Sequence, residues 1–193
     1  MAADRWVAIG LANPESEYGG TRHNIGADAV RVLAARLGGS LAVNKRVRCA
    51  TAEVTDRGEK LVLAVPLSYM NESGGPVQAL TSWFKVPPER LIVLHDEIDL
   101  PNGVVRVKFG GGTAGHNGLR DVSRRLGARD FFRVRIGVGR PPGRQDAADY
   151  VLRRFTAAER EVIEVAIEEA ADAVVGIVHD GLEVTQNRIH ARS

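Results

Sequence analysis

The 193-residue sequence contains a single cysteine, Cys49. A disulfide framework and a cysteine-rich zinc site are therefore excluded, and the composition suits a reducing compartment. No apolar run approaches the roughly 20 residues that cross a bilayer. The opening MAADRWVAIG has no basic segment followed by an apolar core, so it does not read as a secretory leader. These absences predict a cytoplasmic protein without membrane contact. Several chemical signatures are missing as well. There is no HExxH zinc motif and no GxSxG elbow around Ser68 or Ser73. Residues 110–115, GGGTAG, match neither a GxxxxGK[ST] phosphate loop nor a dinucleotide fingerprint, which needs an acidic residue about 20 positions on. Disorder is excluded by ordinary globular composition, with 44% apolar and 26% charged residues. A chain of this length buries roughly 70% of its unfolded surface without help from a metal.

The net charge of +2 hides an uneven distribution. Residues 106–154 hold twelve Lys and Arg against four Asp and Glu, a net of +8. Residues 155–181 hold one against seven, a net of −6. A basic stretch can be the footprint of a polyanion, or simply a solvated face balanced by an acidic one.

Apolar periodicity alternates strands with helices. Trp6 to Leu11 reads as a buried strand, and a helix follows with Ile25, Ala29, Val32, Leu33 and Leu37 on one face. Val47–Thr55 and Lys60–Val65 read as a hairpin around Asp56-Arg57-Gly58-Glu59. Ser73 is placed to cap a helix with Pro76 in its first turn. Leu91–His95 is apolar enough for a central strand. Val104–Phe109 alternates, with Arg106 and Lys108 on one face. Leu119, Val122 and Leu126 mark a helix closed by Gly127, and Phe132–Val138 is the last strand. Residues 139–150 read as an exposed loop, and Thr156 with Glu159 as a capping box opening a helix that ends near Gly181. The expectation is an α/β fold: one domain over residues 1–193, a twisted mixed sheet flanked by helices.

Polar residues gather where strands end, which is where ligands sit in α/β sheets. His23 opens the first helix. An imidazole there can take a proton from water, or it can simply bond a nearby carbonyl. A carboxylate would fix its tautomer. Asp96, just after the central strand, is best placed, with Asp99 and Glu97 as alternatives. Asn13, Asn71 and Asn117 offer uncharged donors and acceptors suited to a peptide backbone, a water or an ester carbonyl, though each also suits a turn or cap. His95-Asp96-Glu97, His23 and His116 have metal-ligand chemistry but no ligand motif. Neither a metal nor a cofactor is expected. Water activated by histidine is the remaining nucleophile.

The segments GLANPESEYGGTRHNIG (10–26), PLSYMNESGGPV (66–77), LHDEIDLPNGVVRVKFGGGTAGHNGLRDV (94–122) and FRVRIGVGRP (132–141) resemble bacterial peptidyl-tRNA hydrolase. The resemblance spans nearly the whole chain. It implies hydrolysis, without a metal, of the ester joining a peptide to the 3′ end of tRNA, which recycles tRNA from prematurely released peptides. His23 falls on the family's catalytic histidine, Asp96 on its orienting aspartate, and Asn13, Asn71 and Asn117 on its asparagines. Asn13 would orient His23 or the terminal ribose. Tyr18 and Met70 match cleft-lining positions and His116 an edge position. Lys108 and Arg135 match basic positions that contact tRNA. Arg106, Arg140 and Arg144 extend that set toward the acceptor stem, and the acidic helix is expected to face away from the RNA. Glu15 and Thr113-Ala114 depart from the family pattern, with consequences expected for the turn after Pro14 and for the loop beside the cleft. A monomer is expected. The competing readings are an RNA-binding module without activity and a metal-dependent amidase.

Overall fold

The computed structural model describes residues 4–192. Seven strands appear in chain order: β1 (Arg5–Gly10), β2 (Ala42–Asn44), β3 (Cys49–Asp56), β4 (Glu59–Pro66), β5 (Leu91–Glu97), β6 (Val105–Phe109) and β7 (Phe132–Gly137). The helices are α1 (Glu15–Tyr18), α2 (Ile25–Arg36), α3 (Gly74–Phe84), α4 (Asn117–Leu126), α5 (Ala147–Val151), α6 (Ala157–Asp180) and α7 (Leu182–His190).

The strands form one sheet in the order β2-β3-β4-β1-β5-β7-β6. β4, β1, β5 and β7 run parallel, while β2, β3 and β6 are antiparallel to their neighbours. The sheet is thus mixed, as the hairpin implies. Its turn places Arg57 and Gly58 at φ 48° and 86°, the double left-handed conformation that matches strand twist in a two-residue hairpin.

The central strands read as unbroken apolar runs because helices cover both faces. Along β1, Ala8 packs toward α2 and α6, while Val7 and Ile9 pack toward α3 and α4. Along β5, Ile92 and Leu94 face the first pair of helices, and Leu91 and Val93 the second. This layering brings the C-terminal ends of β1 and β5 side by side, with Gly10 opposite Leu94 in register.

Two local expectations change, and one further element appears. Ser73 does not cap α3. A 3-10 turn over Met70–Glu72 runs straight into that helix, and the Ser73 hydroxyl donates back to the Met70 carbonyl at 2.5 Å. The stretch 139–150 is not all exposed loop: Asp146 caps α5, whose Tyr150 is buried with its hydroxyl donating to Val138 O at 2.8 Å. Beyond Gly181 the chain forms α7, which shields the open edge of β6. Gln186 donates to Val107 O at 3.0 Å, and Val107 N–H donates to His190 Nε2 at 3.1 Å. Side chains thereby occupy main-chain groups that an uncovered edge would offer to another strand. The Thr156–Glu159 capping box is formed in full.

Candidate active site

Two glycines let the elements of the site approach each other. A Cβ on Gly10 would lie 2.1 Å from Gly26 O, and one on Gly26 would lie 2.2 Å from Leu94 O. With hydrogen at both positions, the start of α2 sits directly on the ends of β1 and β5. The 3-10 turn Arg22–Asn24, which leads into α2, then lies beside Asp96.

Asn24 locks that arrangement. It is fully buried; its Oδ1 accepts from Asn13 N–H at 2.9 Å and its Nδ2 donates to Asn13 O at 3.0 Å. The two bonds imitate a rung of sheet pairing and fix Asn13 against the turn that carries His23. The Asn13 Oδ1 in turn accepts from Met70 N–H at 2.7 Å. The carboxamide therefore joins two loops rather than bonding His23, and the group it leaves for the cleft is its NH2.

His23 Nδ1 lies 2.8 Å from Asp96 Oδ2. Asp96 is buried at 3% exposure, and its carboxylate accepts, so Nδ1 carries the proton and Nε2 keeps a lone pair. Among the three acids considered, Asp96 is the one that holds His23. Glu97 instead pairs with Arg135 at 3.2 Å, and Asp99 pairs with Arg140. Arg140 stays exposed to solvent while its guanidinium pairs with Asp99.

The Asp96 carboxylate has a second partner. His116 Nε2 lies 2.8 Å from Oδ1. The proton on this ring is fixed by α4: Leu119 N–H donates to His116 Nδ1 at 3.1 Å, so Nε2 must be the donor to Asp96. His116 is both the cap of α4 and the second clamp on Asp96, a contact no local sequence pattern signals across 20 residues of chain. Its ring lies 5.1 Å from that of His23 and 5.1 Å from that of His95. His95 donates from Nδ1 to its neighbour's carbonyl, Asp96 O, at 2.8 Å. Complete burial and the nearby His116 push its pKa down to about 3, so this imidazole is neutral.

Burial acts to lower the pKa of His23, but the charge of Asp96 and the hydrogen bond to it outweigh burial and raise it. Burial acts to raise that of Asp96, and the two histidines more than reverse this, so the carboxylate stays ionised. His23, Asp96 and His116 bring ligand-type atoms within 4.8 Å of one another, the composition of a metal site. In this geometry the nitrogens nearest Asp96 are donors to it, and a cation between them would have to displace both hydrogen bonds.

A cleft of about 600 Å³ opens over this cluster. Asn13, Tyr18, His23 and Asp96 line it from the β1 and β5 ends. Met70 and Asn71 enter from the turn before α3, and His116 and Asn117 from the start of α4. All eight residues expected at the catalytic and substrate positions thus meet in one cavity. Gly118 permits the last junction, since a Cβ there would lie 2.6 Å from Met70 Sδ. Sequence reasoning missed the opposite wall, formed by Ala147, Ala148, Val151 and Leu152. It is pinned beside His23 by Arg22, which donates to Tyr150 O at 3.2 Å and to Glu159 at 2.8 Å and stacks 4.0 Å over the Tyr150 ring. Of the departures from the family pattern, Glu15 opens α1 and accepts from Arg31 at 3.1 Å, while Ala114 lines the cleft with a left-handed φ of 49°.

The basic residues form a separate face. Arg106 lies opposite Arg135, and Lys108 opposite Arg133, across the antiparallel β6–β7 pair. Opposed residues with a spacing of two share one side of a sheet, so four cations stand together. The other side carries Val105, Val107, Val134 and Ile136 in the core. Arg135 adds to the burial effect in lowering the pKa of Lys108, as crowding by like charge requires.

Comparison with known proteins agrees with this geometry. The family model described as peptidyl-tRNA hydrolase matches residues 7–193. Peptidyl-tRNA hydrolase of Frankia alni is 54% identical over 96% of this chain and 94% of its own. The Nocardia farcinica protein of the same name is 52% identical over 95% of each. The crystal structure of peptidyl-tRNA hydrolase from Acinetobacter baumannii superposes with a TM-score of 0.92 at 34% identity, covering 99% of this chain and 97% of that one. The chain belongs to the peptidyl-tRNA hydrolase family and is an enzyme that hydrolyses peptidyl-tRNA.

Proposed function

We propose that His23 is the general base and that water is the nucleophile. The observation that carries this reading is the 2.8 Å bond from His23 Nδ1 to a buried carboxylate, which leaves Nε2 free to take a proton in the cleft. As Nε2 accepts a proton from water, the water oxygen bonds to the ester carbonyl carbon. The NH2 groups of Asn13, Asn71 and Asn117 are the uncharged donors available to the developing oxyanion and the peptide main chain, with one such donor worth roughly 3–4 kcal/mol. Collapse breaks the bond to the ribose 3′ oxygen, which recovers the proton from the His23 imidazolium. Tyr18, Met70 and His116 complete the walls around the acyl group. Carboxamides match the amide of an N-blocked residue and offer nothing specific to a free α-ammonium. The substrate is accordingly an N-acylated aminoacyl-tRNA in preference to a free one.

Arg106, Lys108 and Arg135 hold phosphates of the acceptor stem, contacts that position RNA without reading its sequence. The enzyme works as a monomer in the cytoplasm. No helix among the described residues is long and apolar enough to cross a membrane, which agrees with that placement.

Single-turnover hydrolysis of an N-blocked aminoacyl-tRNA tests the assignment. His23→Ala should lower the rate by about 100- to 10,000-fold, the range of general-base catalysis. Near wild-type activity would remove His23 from the mechanism. The His23–Asp96–His116 cluster also motivates a metal-dependent reading. Complete inhibition by a chelator, reversed by added divalent cation, would establish that alternative, whereas activity unaffected by chelator supports the histidine base acting alone.

A further inference from the structure

Among the described residues, Arg133 is the largest wholly buried side chain, and it makes no ion pair. An unpaired buried cation is costly, and a hydrophobic residue of similar volume would fill the space more cheaply. Burial, with repulsion from Arg129 and Arg135, holds its pKa below the usual guanidinium value. Its Nη donors go to main-chain carbonyls, and its buried Nε has no hydrogen-bond partner. Nη2 donates to Gly111 O at 2.9 Å and to Arg129 O at 3.1 Å, and Nη1 donates to Gly112 O. The guanidinium lies 4.5 Å over the Phe131 ring.

The carbonyls it holds belong to an irregular segment. Gly110, Gly111, Ala114 and Gly115 adopt left-handed φ values of 73°, 102°, 49° and 77°. Such a run has no helix or strand ladder to define it, and glycine leaves it many alternative paths. Its ends are tied by Gly110 N–H to Phe131 O at 2.9 Å and by His116 N–H to Thr113 O at 2.8 Å. Between those ties Arg133 bonds both Gly111 and Gly112. The residues that follow, Ala114 to Asn117, line the cleft, and His116 clamps Asp96.

We infer that Arg133 is a positioning residue: by gripping the Gly111 and Gly112 carbonyls it sets the path of the loop that presents His116 and Asn117 to the ester. This rests on the reading of the cleft given above. It differs from the role of its neighbours on the basic face, because Arg133 is wholly buried with both Nη groups spent on main-chain carbonyls rather than offered to phosphate.

The test uses the full chain carrying Arg133→Met or Arg133→Lys. It measures kcat and KM on N-blocked aminoacyl-tRNA, amide hydrogen exchange over residues 110–117, and thermal melting. For Arg133→Met, kcat should fall about 10- to 100-fold, the effect of displacing reacting groups by about an ångström. KM should stay within about twofold, since phosphate contacts are intact. Exchange should rise at residues 110–117 and remain unchanged in β1 and β5, a pattern that general loss of stability would not give. Arg133→Lys keeps the charge but cannot fork to two carbonyls, and its kcat should fall between the other two. Wild-type kcat with an unchanged loop in Arg133→Met would overturn the inference. So would a loss carried by KM, with a salt slope reduced by about one, because that marks a phosphate contact. If Arg133→Met does not fold, Arg133→Lys decides: wild-type kcat and wild-type loop exchange there overturn it. Failure of the histidine mechanism is seen separately, in an active His23→Ala, and leaves the exchange result standing.

Discussion

Asp96 accepts from two histidines at once, and an asparagine there would meet both with only one acceptor. Its NH2 would face either His23 Nδ1–H or His116 Nε2–H. Turning His23 to its other tautomer puts the proton on Nε2 and abolishes the base. Turning His116 makes Nδ1 a donor that opposes Leu119 N–H and uncaps α4. Asp96→Asn should therefore reduce kcat by about 1,000-fold or more at unchanged fold, by analogy with the aspartate of a catalytic triad. The pH profile should move as well. Asp96 is what raises the His23 pKa against burial, and the neutral ring is the active form. Wild-type kcat thus rises with pH through a value above the ordinary imidazole range, and in the variant that limb shifts to lower pH. The linked stability has the opposite sense. The raised His23 pKa contributes stability that is full below about 6.5 and lost as pH rises through the folded value. The depressed Asp96 pKa contributes stability present above about 3.9 and lost on acidification. The pair is most stabilising between those limits, below the pH at which the base is most active. A pH–rate profile beside a melting series, for both proteins, checks both signs.

At the scale of elements, the junction of α2 with β1 and β5 depends on the missing side chain at position 26. Gly26→Ala would drive a methyl group to 2.2 Å from Leu94 O, main chain in the middle of the sheet that cannot swing aside. Overpacking against a backbone belongs at the upper end of the usual cost, about 3 kcal/mol. Relief by lifting α2 would also draw His23 from Asp96. Melting temperature and activity should fall together, and a stable, active Gly26→Ala would refute this account of how the site is assembled. The same scale separates what the sequence made legible from what it did not. β1, β5 and α6 were visible because their signals are local: an apolar run covered on both faces, or a capping box at Thr156 and Glu159. β2 is three residues paired with β3, without an alternating pattern of its own. α7 buries only Thr185 and Ile189, and it is held by Gln186 and His190 reaching the β6 edge. Neither fact leaves a periodic trace. The site divides the same way. The ends of apolar strands and the loops beside them pointed to His23, Asp96 and the three asparagines, and the family likeness supplied their roles. The bonds of His116 to Asp96, Asn24 to Asn13 and Arg22 to Tyr150 exist only through tertiary contact between segments that have no pattern in common.

Across the whole molecule, the acidic and basic stretches differ in how they are neutralised. On α6, Glu159 pairs with Arg22, Glu168 with Arg36, and Asp172 with both Arg36 and Arg192. That helix spends much of its charge on the rest of the protein. The basic stretch does so less completely. Arg135 has Glu97 and Arg140 has Asp99, yet Lys108 faces Arg133 across β6 and β7. Like charges opposed on a sheet cost stability, roughly 0.2–1 kcal/mol per pair. A polyanion lying on this face would remove the repulsion. Lys108→Gln should therefore separate stability from function. Without RNA the variant should melt slightly higher than the parent, because it loses a repelled charge and no ion pair. On peptidyl-tRNA its KM should rise at low salt while kcat is kept, since Lys108 does not line the catalytic cleft. The slope of log KM against log salt should be shallower than that of the parent by about one, the signature of one lost phosphate contact. A parent KM that stays flat from low to high salt, or a variant that melts lower with KM unchanged, would mean that this cationic face serves the fold and not the RNA.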